Sequence, residues 1–282
     1  MALNSLYSSG WFALGFAAMK TGDVQRALDA FTRAIQLDPE NWEAWGNIAY
    51  LHLIRKKKKE SFIAYTQAVK FMRDSWKLWE NYGLVAVEVG KIVQALDAAR
   101  RVLDVTNYKI TGVRLLDKIT QYLEESSSNT HSAVSDGDYC ANKNLIDSCI
   151  YSVDKLANSE PNEGMSPEKW QMVKLLGNIL DEISRRNPIA DIWGLCARCH
   201  RMNGDLIMCS VALSKQIRSY KGSDMWKDGD RYRRFAHSLW ELCKIYITLF
   251  SSTGGHEQLQ SAERELQNAI KQARYSCIFL VA

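Results

Sequence analysis

The chain has 282 residues, of which 46% are hydrophobic and 24% are charged, and its formal net charge is +4. This composition is typical of a folded soluble protein and excludes fibrous and largely disordered classes. No apolar run approaches the ~20 residues that a membrane-spanning helix needs. The net charge is small and no basic stripe is interleaved with aromatic residues. We therefore expect no membrane association and no direct nucleic-acid binding.

Three tryptophans recur at a constant interval, because Trp11, Trp45 and Trp79 are each 34 residues apart. This interval is the length of one helix–turn–helix repeat, which cannot bury its own apolar face and must stack on its copies. The chain is therefore predicted to be an all-α superhelix of antiparallel helix pairs with a flexible insertion. The residues expected to pack the repeats are Trp11, Gly15, Ala27, Phe31, Pro39, Trp45, Ala49, Tyr65, Trp79, Gly83, Ala95, Trp193 and Ala197.

The residue types at these positions have distinct packing roles. Small residues such as Gly15 and Ala27 let the two helices of a hairpin approach closely, while Trp and Phe fill the space between hairpins. Pro39 is expected to follow the end of a second helix, because proline cannot continue one. Ser166 is expected to cap a helix that begins at Pro167 and runs to about Arg186.

The pattern divides the chain into repeat units and connecting segments. A stretch from Ser126 to Asp138 is rich in Ser, Asn, Asp and Gly and has no apolar period, which favours a flexible insertion. Asp230 to Phe250 has the period of a long helix, and Ser251 to Gly255 is expected to form a turn. In chain order we expect a tail of a preceding truncated repeat (1–8), three units (9–41, 42–75 and 76–109), a degenerate helix (110–125), a disordered insertion (126–140), a helical repeat-like region (141–189), another unit (190–223), and a long helix pair with an apolar tail (224–282).

A run of basic residues, Arg55 to Lys59, falls where the first unit has Gly22 and Asp23. A solvated turn is the ordinary interpretation of such a run. A nuclear-import signal and a contact with an acidic partner are the functional alternatives. The sequence leaves all three open.

The seven cysteines are scattered, and reduced thiols are the expectation. Cys196 to His200 matches the attachment string of c-type haem, but Ala197 within it occupies a small packing position of a predicted helix. Zinc would need a fourth ligand, for which Cys209 is the near candidate, and structural zinc sites prefer short loops. We expect these cysteines to pack as small apolar residues, with no metal or other cofactor bound.

No arrangement of residues indicates catalysis. The chain has no nucleophile elbow, no phosphate-binding glycine loop and no His-Glu metal motif. The five histidines are dispersed, and His52 is expected to be a packed histidine rather than a base. We therefore expect neither catalytic residues nor a small-molecule substrate.

The predicted functional surface is a groove that binds another protein. In such arrays the first helices line the concave face, where a peptide or a helix can lie. The alternative is that Phe12 and Phe16 pack on a preceding hairpin, so that this surface is only structural. By the register of the repeats, the groove presents Phe12, Phe16, Met19, Asn47, Tyr50, Leu53, Lys77, Asn81 and Leu84.

The packing positions that recur at the 34-residue interval, such as Trp11, Gly15, Ala27, Phe31 and Pro39, resemble the tetratricopeptide repeat (TPR). Its chaperone-binding members hold a carboxylate with five polar residues, and the corresponding positions here are Phe12, Phe16, Asn47, Lys77 and Asn81. Only Asn47 and Lys77 match. Losing a charge-assisted contact costs on the order of 1.5–3 kcal/mol, so no tight binding of chaperone tails is expected.

The resemblance is narrower over part of the chain. Gly10–Gly15, Ala27–Phe31, Leu37–Ile48 and Asp74–Tyr82 are similar to the C-terminal repeat region of the tetratricopeptide repeat protein 27 family, here a plant-type member or a fragment of one. This resemblance implies a non-enzymatic scaffold of the cytoplasm, and also of the nucleus, with a co-chaperone-like role in complex assembly. The alternatives are a structural segment of a larger solenoid and an RNA-associated, spliceosome-linked scaffold.

Overall fold

The computed structural model describes residues 7–107, 112–128, 166–220 and 228–253, with individual positions from 260 to 268. The described residues leave out most of the expected insertion and the segment 141–165. They also leave out most of the expected C-terminal helix and tail. None of the described helices is both long enough and apolar enough to span a membrane. In chain order they are α1 (Ser8–Lys20), α2 (Val24–Leu37), α3 (Trp42–Ile54), α4 (Lys58–Phe71), α5 (Trp76–Glu88), α6 (Ile92–Thr106), α7 (Val113–Ser128), α8 (Pro167–Arg186), α9 (Ala190–Met202), α10 (Leu206–Tyr220) and α11 (Gly229–Thr253).

Consecutive helices pack as hairpins, and the hairpins stack. α1 packs on α2, α3 on α4, α5 on α6 and α9 on α10, while α2 contacts α3 and α4 contacts α5. The small residues predicted at the helix crossings are fully buried, including Ala27, Ala49 and Ala95. The predicted all-α solenoid is therefore confirmed for the described part of the chain.

Two glycines mark the closest helix approaches. A Cβ atom on Gly15 would lie 2.8 Å from the ring of Phe31. A Cβ atom on Gly83 would lie 2.6 Å from a methyl group of Leu115. Both distances are shorter than van der Waals contact allows, so these positions need glycine for packing rather than for backbone freedom.

The turn inside each hairpin has a repeated geometry. Gly22, Gly90 and Gly204 have positive φ angles of 80°, 79° and 76°, and Lys56 has a φ of 59° at the equivalent position. In each turn the next backbone N–H donates to the carbonyl five residues earlier, at 2.8–3.0 Å. This bond is the one that ends many helices with a left-handed residue.

Two tryptophans form hydrogen bonds between the first helix of a hairpin and the loop that precedes it. The indole N–H of Trp45 donates to the carbonyl of Pro39 at 2.9 Å. The indole N–H of Trp79 donates to the carbonyl of Arg73 at the same distance, again six residues back. Pro39 itself lies two residues beyond the end of α2, as predicted. At Trp45 and Trp79 the 34-residue interval therefore reflects a repeated hydrogen bond as well as apolar packing, whereas the indole N–H of Trp11 is buried without such a partner in the described part of the chain.

The expected insertion separates the two helices of a fourth pair. α7 contacts α5, α6 and α9, while α8 contacts α6, α7 and α9. These neighbours place α7 as a first helix and α8 as a second helix of the array. As predicted, Ser166 caps α8 by accepting a hydrogen bond from the backbone N–H of Lys169 at 3.3 Å, and the helix ends at Arg186.

Two helices extend further than predicted. α7 continues to Ser128, three residues into the segment expected to be disordered, and α11 continues to Thr253, into the expected turn. A serine hydroxyl bonds back to the helix near both ends. The Ser126 hydroxyl donates to the carbonyl of Leu123, and that of Ser251 to the carbonyl of Ile247, both at 3.0 Å. These bonds satisfy the hydroxyl groups within the helical turn.

Candidate partner-binding face

Two aromatic side chains are exposed at equivalent positions of successive first helices. Phe16 on α1 is 46% exposed, and Tyr50 on α3, 34 residues later, is 51% exposed. Leu84 follows at the same interval on α5, where it is half-buried against the core. We call the surface formed by Phe16, Asn47, Tyr50, Lys77 and Asn81 the groove face.

Other members of the predicted groove contribute more to packing. Phe12 and Met19 on α1, with Leu53 on α3, are half-buried and contact the core. The ring of Phe12 meets Phe31 of the same hairpin edge-on, with centroids 5.5 Å apart. Phe12 therefore helps to hold α1 on α2.

The polar members differ in exposure. Asn47 is half-buried, whereas Lys77 and Asn81 are exposed. The Lys77 ammonium lies 5.7 Å from the centroid of the Trp76 ring, a distance suited to a cation–π contact. The three side chains can donate or accept hydrogen bonds beside the exposed aromatics.

Tyr65 and Tyr82 are buried, and Tyr65 lies near the exposed Tyr50. Burial raises the pKa of Tyr65 to about 12, and the neighbouring Tyr50 adds to this shift. Burial also raises the pKa of Tyr82 to about 12. The rings of Tyr82 and Phe62 stack with centroids 5.3 Å apart. These phenols stay neutral near pH 7 and act as packing residues rather than as acids.

A second concavity, not anticipated from the sequence, lies between the first helices of the later repeats. It has a volume of about 940 Å³ and is lined mainly by α7, α9 and α11. Several charged side chains that line it form ion pairs. Arg201 meets Glu241 at 2.8 Å, and Arg234 meets Asp191 at 3.5 Å. Arg198 contacts two carboxylates on α7.

The register of the repeats could have predicted the charged residues of this concavity. Arg198 and Arg201 stand at the same offsets from Trp193 as Phe16 and Met19 do from Trp11. The first-helix positions that carry apolar side chains at the start of the array thus carry guanidinium groups further along. Extending the register to the later unit would have found them.

The cysteines of the later unit are part of the core. Cys196, Cys199 and Cys209 are buried. Burial raises the pKa of both Cys196 and Cys199 to about 12, which leaves their thiols protonated. Among the described residues, no cluster of His, Cys, Asp and Glu could hold a metal ion. Their burial agrees with the predicted packing role.

The stacked hairpins define the class of this protein as a helical-repeat solenoid, whose curvature creates an extended surface for another polypeptide. Residues 8–41 match the model of the Tetratricopeptide repeat family. This matched unit contains Trp11, the first of the three evenly spaced tryptophans.

Similar proteins carry the same repeat in their names. The chain is 26% identical to the Tetratricopeptide repeat-containing protein trd-1 of Caenorhabditis elegans over 179 residues, which are 64% of this chain and 20% of that protein. It is 31% identical to a TPR repeat-containing protein of Schizosaccharomyces pombe over 140 residues, 48% of this chain and 17% of that protein. The chain thus spans about a fifth or less of these relatives. Among solved structures, MamA aligns with a TM-score of 0.47 and 9% identity, over 75% of this chain and 91% of MamA.

Proposed function

We propose that this chain is a non-enzymatic scaffold that holds an extended or helical segment of another protein against the groove face. The observation that carries this proposal is the exposure of Phe16 and Tyr50 at equivalent positions on α1 and α3. Burying a large apolar side chain fully is worth about 1.5–3 kcal/mol. A partner segment that covers both rings would gain a substantial part of that free energy.

The proposed contacts divide between apolar anchors and polar groups. Phe16 and Tyr50 serve as the anchors, because aromatic side chains often dominate the free energy of binding at protein interfaces. Asn47, Lys77 and Asn81 provide hydrogen bonds to the partner's backbone or polar side chains. This division resembles the recognition of a peptide or an amphipathic helix in a groove.

The groove face is proposed not to bind chaperone tails tightly. Phe12 and Phe16 occupy positions where a carboxylate clamp would present polar side chains. A phenylalanine side chain has no hydrogen-bond donor for a carboxylate, and the ring of Phe12 packs against Phe31. Calorimetry with a chaperone C-terminal peptide is expected to give no measurable heat of binding, and tight binding would refute this exclusion.

The wider role that we propose follows the sequence resemblance to the tetratricopeptide repeat protein 27 family. It is assistance in assembling protein complexes in the cytoplasm, and also in the nucleus.

Site-specific photo-crosslinking tests the proposed face directly. A photoreactive phenylalanine analogue is placed at Phe16, at Tyr50 and, as the control, at Ile63, which is 60% exposed on the second helix α4. The full chain is expressed in cells, and the crosslinked partners are identified by mass spectrometry. We expect a common partner at Phe16 and Tyr50 that is absent at Ile63.

The variants Phe16→Ala/Tyr50→Ala and Phe12→Ala separate binding from packing. The double variant is expected to lose the common partner with an unchanged melting temperature. Phe12→Ala is expected to lower the melting temperature, because the side chain packs on Phe31. Identical crosslinks at Ile63, or a double variant that keeps the partner, would move the function away from the groove face. Crosslinks to RNA would instead favour the RNA-associated scaffold.

A further inference from the structure

Five consecutive cationic side chains lie at one of the turns inside the hairpins, between α3 and α4. We call Arg55, Lys56, Lys57, Lys58 and Lys59, all exposed, the basic edge. These residues connect α3 to α4 and form the start of α4.

The basic edge lies between the turns of the neighbouring hairpins. Arg55 donates to the side-chain oxygen of Gln25, at the start of α2, at 2.6 Å. On the other side, the Lys58 ammonium meets the carboxylate of Glu88, at the end of α5, at 3.2 Å. The two contacts hold Arg55 and Lys58, so Lys56 and Lys57 between them and Lys59 next to them have a defined place on the fold.

The charge of this edge is poorly compensated. Its five cations exceed the net charge of the whole chain, +4. The side-chain ammonium groups of Lys56, Lys57 and Lys59 make no hydrogen bond or ion pair with any residue in the described ranges, although the backbone N–H groups of Lys56 and Lys57 donate within the turn. The carboxylate of Glu88 is already occupied by Lys58, and only Glu60 follows in the first turn of α4. Three ammonium groups are therefore available to a partner.

The local backbone makes these lysines unfavourable for the isolated chain. Lys56 has a φ of 59° where Gly22, Gly90 and Gly204 occupy the equivalent turns. A residue with a Cβ atom is disfavoured in this left-handed region. Lys58 and Lys59 lie in the first turn of α4, where the helix dipole disfavours cations. An anionic partner would relieve the electrostatic part of this cost.

We propose that the basic edge binds an acidic segment of a partner protein. Carboxylates placed along the turn would pair with Lys56, Lys57 and Lys59 and would also meet the positive end of the α4 dipole. An acidic polypeptide fits better than single-stranded nucleic acid, because none of the five residues is aromatic and bases have nothing to stack on. This site is separate from the groove face and does not depend on it.

Fluorescence anisotropy with a labelled glutamate-rich peptide tests the proposal on the full 282-residue chain. The edge variant is Lys56→Glu/Lys57→Glu/Lys59→Glu. The matched control is Lys70→Glu/Arg73→Glu/Arg100→Glu, which changes the net charge equally at exposed positions outside the turn. The edge variant is expected to weaken binding by about tenfold or more, since three ion pairs are lost and three repulsive charges are added. The control is expected to lose less than about threefold, as distant charges are screened.

Neutral variants and a check of the fold complete the experiment. Neutral replacements, Lys56→Gln/Lys57→Gln/Lys59→Gln, keep the side-chain length and avoid new repulsion, and they are expected to lose affinity in the same direction. Circular dichroism on every variant verifies the helical fold. Absence of peptide binding by the unaltered chain, or equal losses in the edge and control variants, would overturn the proposal. Tighter binding of a uridine-rich RNA with the same dependence on the edge lysines would also overturn it, in favour of nucleic acid.

Discussion

Arg198 on α9 and Glu124 on α7 form a two-pronged ion pair across 74 residues of sequence. The Nε and Nη2 groups of Arg198 donate to the two Glu124 oxygens at 2.9 and 2.6 Å, and Nη1 donates to Asp117 at 2.6 Å. Residues 129–165 separate α7 from α8 along the chain, so this pair fastens α7 to the later repeats. It joins the two stretches of the array on either side of the expected insertion.

The first prediction concerns this pair. A double-mutant cycle with Arg198→Ala and Glu124→Ala is expected to give a coupling of about 1 kcal/mol in the free energy of unfolding. The pair has bidentate geometry, but its side chains are only partly shielded from water, being 30% and 35% exposed. Urea denaturation followed by circular dichroism measures it.

The matched control for this cycle is the surface pair of Arg186 and Glu182 within α8, at 3.0 Å. Its coupling is expected to be about 0.3–0.5 kcal/mol, the usual range for exposed pairs one helical turn apart. If the two cycles gave the same coupling, the pair between α7 and α9 would have no special part in holding the array together.

The second prediction is that Lys56→Gly stabilises the protein. Glycine removes the penalty of a left-handed side-chain residue, but it also increases the entropy of the unfolded chain. The net gain is expected to be about 0.5–1 kcal/mol. Lys56→Ala removes the same charge and keeps a Cβ atom, so it is expected to give no such gain. A comparable gain from both would assign the effect to charge rather than to backbone conformation.

The third prediction compares two glycines of the first helices. Gly83→Ala is expected to destabilise the protein by about 1–3 kcal/mol, because its Cβ would lie 2.6 Å from Leu115. Gly46→Ala meets only Leu78, at 3.7 Å, which is an ordinary contact. It is expected to be neutral or to stabilise α3 by up to about 1 kcal/mol through helix propensity. Thermal unfolding measures the melting temperature of each variant. Gly83→Ala is expected to melt below the parent protein, and Gly46→Ala at or above it. Equal losses would contradict the close approach at Gly83.

Much of the fold could be predicted because the repeat imposes the same contacts at a constant interval. Trp45 and Trp79 show this most clearly, since each indole donates to a carbonyl six residues earlier. The end of α2 before Pro39 and the cap at Ser166 could also be predicted, because proline and serine act locally on the backbone. Where one residue determines one local bond, sequence is a sufficient guide.

The surfaces were harder to predict, because exposure depends on neighbours that are distant in sequence. Phe12 and Phe16 look alike as members of one helical stripe, yet Phe12 meets Phe31 and Phe16 remains 46% exposed. The pairing of Arg198 with Glu124 crosses a segment without any repeat pattern. The register marks positions along a helix, but the partner of a long side chain there depends on how the hairpins stack.

The last prediction concerns how the stability of the protein changes as the pH is lowered. Burial alone would raise the pKa of Glu241, but its hydrogen bond with Lys244 and its contact with Arg201 hold that pKa below the ordinary value of 4.5. A depressed pKa in the folded state gives stability that is present above pH 4.5 and is lost as the pH falls through the folded-state pKa. Glu241→Gln is therefore expected to be less stable than the parent at pH 7, and the difference should shrink as the pH is lowered past 4.5. Urea denaturation across this range measures it.

Glu182→Gln provides the control, because its carboxylate meets Arg186 at the surface and such exposed pairs contribute little to stability. Comparing each variant with the parent at the same pH removes the titration of the other carboxylates, which the proteins share. A constant difference for Glu241→Gln from pH 7 to strongly acidic solution would mean that its packing, rather than its charge, stabilises the contact between α9 and α11. A difference that closes in acid would mean that the ion pair with Arg201 holds these first helices together.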